Sequence, residues 1–211
     1  MIRGRLSEAA AGVNGVLTGA DAEFNGVSTD TRQLEAGQLF VALEGPNFDG
    51  HAFVDTAADR GAAGAVVARA VDSPLPQIRT DDTLIALGAL AAGWRLKLNP
   101  TVVGVTGSSG KTTVKELIAA ILARVDRTLV TRGNLNNEIG VPLTLFRLAP
   151  SDRYAVVEMG ANHAGEIARL AAIARPDVGL ITMAGASHLE GFGDLDGVAA
   201  AKGEMFEALG A

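Results

Sequence analysis

The 211-residue sequence contains no cysteine, which excludes a disulfide framework and any thiolate metal site. Aromatic residues are scarce, at 4% with a single tryptophan and a single tyrosine, and the net charge is −6. With no basic patch interleaved with aromatics, a nucleic-acid partner is not expected. No apolar run approaches the roughly 20 residues that span a bilayer. The first residues lack the basic-then-apolar pattern of an export signal, so no membrane insertion is expected and a cytoplasmic location fits. There is no internal repeat and no low-complexity tract. What is present, 48% hydrophobic and 20% charged residues, suits a globular chain long enough for one large domain or two modest ones.

The first eighty or so residues read as a small α/β unit. A strand is predicted over 39–43, followed by the turn Glu44-Gly45-Pro46-Asn47. A helix over 51–60 would turn Phe53, Val54 and Ala57 inward, and a strand over 64–68 follows. Ser73-Pro74-Leu75-Pro76 stiffens the chain before a helix over 82–97. Asn99-Pro100 ends that helix, because proline disfavours α geometry in the residue before it. The domain boundary is expected near Thr80 to Asp82, giving units 1–81 and 82–211.

From Thr101 onward the pattern alternates, with strands over 101–105, 128–131, 154–159 and 178–183. Helices are expected over 111–124, 141–148, 165–174 and 198–209, the first with Val114, Leu117, Ile118, Ile121 and Leu122 inward. The fold class is therefore α/β: a small N-terminal α/β domain followed by a parallel-sheet domain of the phosphate-loop ATPase type. In such a sheet, functional side chains collect beyond the carboxyl ends of the strands.

The most informative segment is Val102-Val103-Gly104-Val105-Thr106-Gly107-Ser108-Ser109-Gly110-Lys111-Thr112-Thr113. An apolar strand leads into a Gly/Ser loop and then a helix, which suits a polyphosphate. Glycines let backbone N–H groups converge on one anion, and the helix start adds its positive dipole end. Lys111 supplies a mobile cation and the Thr112 hydroxyl a ligand for magnesium, so ATP or GTP is expected. The loop is a variant, with Val105 where the strict pattern has glycine. The alternative is a glycine-rich turn that binds nothing. An acidic chain holding a polyanion needs local positive charge, from Lys111, the helix end and a divalent metal.

Two further strand ends fall on the same sheet edge. One ends at Glu158 and continues Met159-Gly160-Ala161-Asn162-His163; the other runs through Ala184-Gly185-Ala186-Ser187 to His188. Glu158 and His188 beside Thr112 make a magnesium shell, although imidazole is an unusual magnesium ligand. The competing readings are a solvated surface carboxylate and a loop histidine with a local hydrogen bond. The asparagines of Gly133-Asn134-Leu135-Asn136-Asn137 are either turn formers or phosphate contacts. Lys202, near a helix start, reads by itself as a solvated surface group.

Taken together, Gly107 to Thr113, the run Gly133 to Pro142, Glu158 to His163, His188-Leu189-Glu190-Gly191-Phe192-Gly193 and Lys202-Gly203-Glu204 resemble the Mur ligases of bacterial cell-wall synthesis. Ser28-Thr29-Asp30-Thr31-Arg32, Leu39-Phe40-Val41-Ala42-Leu43 and Asp49-Gly50-His51 resemble that family's segment for the uridine diphosphate moiety. The resemblance implies an ATP- and Mg2+-dependent amide ligase working through an acyl phosphate. Its expected partners are UDP-N-acetylmuramoyl-tripeptide and D-alanyl-D-alanine. A sister ligase adding the third amino acid and a non-catalytic nucleotide-binding module are the alternatives.

By the same resemblance, Gly107, Ser108, Ser109, Gly110, Lys111, Thr112, Thr113 and Asn137 would bind the nucleotide, with Lys111 on the migrating phosphoryl group. Thr112, Glu158, His188 and a carbamylated Lys202 would hold magnesium. Asn162 and His163 would lie near the peptide end of the substrate, and Thr29, Asp30, Thr31 and Arg32 would line the uridine diphosphate pocket. A monomer is implied. Family members carry a longer central domain and a third domain, so this chain is expected to be a piece unable to complete ligation alone, with an unfinished sheet edge prone to aggregation.

Overall fold

A computed structural model describes residues 1–209. The chain divides into two compact units, Met1–Gly93 and Trp94–Ala211. The division falls inside the helix Thr83–Leu98, about three helical turns beyond the Thr80 to Asp82 boundary expected from sequence. The last turn of that helix is tied to the second unit. Trp94 Nε1 donates to Leu148 O, while Arg95 donates to the carbonyls of Ala174 and Arg175. Among the described residues no helix is long and apolar enough to cross a membrane.

The first unit holds a five-stranded sheet in the order Val16–Thr18, Gln77–Arg79, Gly64–Val67, Leu39–Val41, Val27–Ser28. All neighbours are parallel except the Val16–Thr18 and Gln77–Arg79 pair. Phe40, Ala42, Ala65 and Val67 pack with Val54 and Ala57 of the helix Val54–Asp59 in one buried cluster. The strand expected over 39–43 is shorter, and the helix expected over 51–60 begins instead as the 3-10 turn Gly50–Phe53. Asp49 imposes that turn by accepting from His51 N at 2.9 Å. Phe53 is exposed rather than inward. Most of the strands here run two or three residues, too few for a period-of-two pattern to register. The helix Leu6–Gly12 and the strand Gln77–Arg79 after the prolines are likewise findings of the structure.

The second unit holds an all-parallel sheet in the order Thr128–Val130, Tyr154–Glu158, Thr101–Thr106, Val178–Ile181. The interiors of its central strands, residues 102–105 and 155–157, are apolar as befits strands buried on both faces. The helix Lys111–Leu122 covers one face, where Val114, Ile118, Ala119 and Leu122 pack on Val103, Val105 and Val156. Leu117 and Ile121, expected inward, are exposed instead. The inward stripe runs 114–118–122 with 115 and 119 beside it, which leaves 117 and 121 beyond its other margin. The helices Glu166–Ala174 and Leu195–Glu207 bury Ile167, Leu170, Val198 and Met205.

Candidate active site

The in-register pairing of Val105 with Glu158 and of Thr106 with Ile181 brings three strand ends to one edge. Gly107 follows the first of them with φ 140, and a Cβ there would lie 2.1 Å from Thr182 Oγ1. Only glycine allows the chain to turn so close to the neighbouring strand. The loop is then pinned from that strand. Ser108 N donates to Met183 O at 2.8 Å, Ser108 Oγ donates to Gly185 O at 2.8 Å, and Thr182 Oγ1 donates to Ser109 O at 2.5 Å. Gly110, at φ 79, begins the helix Lys111–Leu122 without a side-chain cap. The first helical N–H groups are thereby left for an anion. Lys111 Nζ is parked on Gly107 O at 2.7 Å, and Thr113 is exposed on the first turn.

Glu158 is 2% exposed, so it is no solvated surface charge. Its Oε2 accepts from the Thr112 hydroxyl at 3.0 Å, and its Oε1 accepts from Asn136 Nδ2 at 2.8 Å. Its backbone N–H donates to Thr131 Oγ1 at 3.0 Å. A hydroxyl and a carboxylate held together in this way are hard oxygen donors of the kind magnesium takes, and the hydroxyl keeps its lone pairs when its proton is given to Glu158. The residues therefore fit such an ion. Thr106 Oγ1, fully buried just before the loop, has no hydrogen-bond partner among the described residues.

Lys202 is also 2% exposed, not a solvated surface lysine. Its Nζ lies 3.5 Å from Ala161 O and 5.0 Å over the Phe192 ring. Burial pushes its pKa down, and the charge of Lys111 adds to this, against Glu166 and Glu204. The His188 ring stands edge-on to the same Phe192 ring, at 6.5 Å and 79°. His188 itself adopts φ 52 as it enters the short helix Leu189–Phe192 and is exposed.

Asn162 and His163 lie exposed on the loop after Glu158. Glu166 gathers that loop, accepting from Asn162 N at 2.6 Å and His163 N at 3.3 Å, with His163 Nδ1 3.2 Å from its other oxygen. Burial alone would raise the Glu166 pKa, but these hydrogen bonds leave it lowered. Glu204, two residues after Lys202, reaches across to accept from Gly165 N at 2.6 Å and Ala168 N at 2.9 Å. It thus caps the helix Glu166–Ala174, whose own N-cap glycine has no side chain to do so. Asn137 acts as a helix cap, its Oδ1 accepting from Ile139 N and Gly140 N; the asparagine that touches Glu158 is Asn136. Sequence reasoning leaves Asn136 among asparagines that are either turn formers or phosphate contacts, and passes over Lys115, Thr131 and Thr182. For those three, only the Lys111-to-Lys115 spacing of one helical turn offers a signal.

In the first unit, Thr29 is half-buried and Thr31 buried. Asp30 Oδ1 accepts from Arg32 N at 2.9 Å, and its Oδ2 accepts from Arg32 Nη2 at 2.7 Å. The Arg32 hydrogen bonds hold the Asp30 carboxyl at about 2. Arg32 in turn is held by Arg60, whose Nη1 donates to its carbonyl at 3.0 Å.

Known proteins share this fold. The chain matches the Mur ligase middle domain over residues 105–211 and the Mur ligase family catalytic domain over residues 23–125. It is 53% identical over 209 residues to the UDP-N-acetylmuramoyl-tripeptide–D-alanyl-D-alanine ligase of Escherichia coli, covering 99% of this chain and 46% of that protein. The crystal structure of MurF from Acinetobacter baumannii superposes with a TM-score of 0.95 at 39% identity, covering 99% of this chain and 47% of the other. MurF ligase from Thermotoga maritima, solved in complex with ADP, gives a TM-score of 0.82 at 35% identity over 88% of this chain and 44% of the other. The chain thus spans under half the length of these relatives. With its two matched segments, the chain belongs to the Mur ligase family.

Proposed function

We propose that this chain supplies the nucleotide-binding part of an ATP-dependent ligase that joins D-alanyl-D-alanine to UDP-N-acetylmuramoyl-tripeptide, as a cytoplasmic monomer. The observation that carries the reading is the 3.0 Å hydrogen bond from the Thr112 hydroxyl to the buried Glu158, beside the loop that ends in Lys111. Identity of 53% to the Escherichia coli ligase over nearly the whole chain supports the choice of substrates.

In this reading the loop amides from Gly107 to Thr113 grip the phosphates. Lys111 swings from Gly107 O onto the γ-phosphate oxygens, a rotation of one side chain. The tripeptide's terminal carboxylate attacks the γ-phosphorus and ADP departs with the bridging oxygen. The D-alanyl-D-alanine amine then displaces phosphate from the acyl carbon, losing its proton as the amide forms. Catalysis of this kind rests on positioning and charge neutralisation. Thr112, Glu158, His188 and a carbamylated Lys202 would hold Mg2+, which supplies positive charge to the β- and γ-phosphates when bound. Carbamylation joins carbon dioxide to a neutral amine with loss of a proton; burial and Lys111 favour that neutral form at Lys202. Asn137 would lie near the phosphates, Asn162 and His163 would meet the peptide end of the substrate, and Thr29, Asp30, Thr31 and Arg32 would line the pocket for the uridine diphosphate moiety.

The test is phosphate release by the complete protein with ATP, Mg2+, UDP-N-acetylmuramoyl-tripeptide and D-alanyl-D-alanine. Release that needs both acceptor and dipeptide is expected. Release with a free amino acid and the dipeptide-stage precursor would transfer the assignment to the sister ligase. Uridine nucleotide binding without release would leave a non-catalytic module.

A further inference from the structure

Lys115 is the buried charge that the chemistry above leaves unused. It follows Lys111 by one turn of the helix Lys111–Leu122, so the two lysines share a helix face. Their surroundings differ. Lys111 is half-buried at the loop, whereas Lys115 is fully buried at 0% exposure. Its ammonium donates to Thr131 O at 2.8 Å and lies 3.1 Å from Glu116 Oε1 and 3.6 Å from Glu158 Oε2. An ammonium is costly to bury unless it is paired and hydrogen-bonded, and here the Thr131 carbonyl, the exposed Glu116 carboxylate and the buried Glu158 carboxylate supply the partners. Thr131 carries the link twice, since its carbonyl accepts from Lys115 and its hydroxyl accepts from Glu158 N.

We propose that Lys115 is a positioning residue for the divalent cation of the bound nucleotide, holding Glu158 Oε2 against the Thr112 hydroxyl through a buried ion pair. The role rests on the ATP reading above. With Oε1 tethered by Asn136 and Oε2 by Thr112 and Lys115, the Glu158 carboxylate has one orientation. Magnesium demands near-ideal octahedral geometry, while calcium accepts irregular ligation. Loosening Glu158 therefore weakens magnesium more than calcium. A lysine that merely added positive charge would have the opposite effect, because its removal would strengthen the binding of either ion.

The experiment follows binding of a fluorescent ATP analogue to the complete protein during separate Mg2+ and Ca2+ titrations, with the chain unaltered or carrying Lys115→Met or Lys115→Arg. In Lys115→Met the Mg2+ midpoint should rise about tenfold and the Ca2+ midpoint by no more than about threefold, the scale on which orienting partners of metal ligands act. Lys115→Arg should fall between the two, since it keeps the charge but not its placement. An unchanged Mg2+ midpoint, an equal shift for both ions, or tighter binding in Lys115→Met overturns the proposal. Should that variant fail to fold, Lys115→Arg decides: lost preference for Mg2+ over Ca2+ supports it and retained preference overturns it. If the unaltered chain shows no Mg2+-dependent nucleotide binding, the ATP reading itself fails, and this role with it.

Discussion

The two units handle charge in opposite ways. In the first, acids and arginines meet at the surface: Arg32, 85% exposed, pairs with Asp30, and Arg69 bridges Glu44 and Asp49. In the second, Lys115, Glu158 and Lys202 are all within 2% of complete burial on the edge of a parallel sheet. Exposed pairs are screened and contribute little, typically up to about 1 kcal/mol. Buried charges are costly, and the second unit offsets the cost with hydrogen bonds to Glu158 from Asn136 and Thr112 and from Lys115 to the Thr131 carbonyl. Charge placed by the first pattern is free to rearrange around a ligand. Charge placed by the second is already oriented before one arrives.

Three perturbations, ordered by size, would break or sharpen this contrast. Lys111→Ala in the complete protein should cut turnover by about 10³-fold or more, the scale of losing a principal transition-state charge, with the circular dichroism spectrum unchanged. Turnover near that of the unaltered enzyme would remove the second unit's claim to the chemistry. Glu204→Ala should lower the stability of the second unit by roughly 0.5–2 kcal/mol, because the N–H groups of Gly165 and Ala168 lose their acceptor. Urea unfolding reads that change, and amide exchange at Gly165 and Ala168 should accelerate with it. The smallest effect belongs to Asp30. Its folded carboxyl titrates at about 2, below the unfolded value near 3.9. Its contribution is therefore complete above about pH 4 and disappears as pH falls toward 2. Stability curves of Asp30→Asn and the unaltered chain should converge in that window, their gap at neutral pH staying within about 1 kcal/mol. A gap well beyond that would mean the exposed pair is no mere surface bridge.

Legibility also differed between the units. In the second, strands of three to six residues and a glycine-rich loop carry strong local signals, and each predicted strand lies where a strand is found. In the first, two- and three-residue strands are held by neighbours rather than by their own pattern, so Val16–Thr18 and Gln77–Arg79 passed unread. The inward assignment of Leu117 and Ile121 failed because five apolar residues on one helix span more arc than a single sheet face covers. Lys202 read as a surface group because its burial comes from Phe192 and Ala161, which are distant in sequence from its own turn.

Local chemistry, written in consecutive residues, determined the alternating α/β order, the phosphate loop with Lys111 and Thr112, and the placing of Glu158 at a strand end. Parallel pairing alone decided which distant residues meet. It set Glu158 on the Thr112 hydroxyl with Asn136, not Asn137, at its other oxygen, and it enclosed Lys115 and Lys202. The reason is physical: a loop motif announces itself through consecutive residues, whereas the burial and partners of a charged side chain depend on strands and helices tens of residues away.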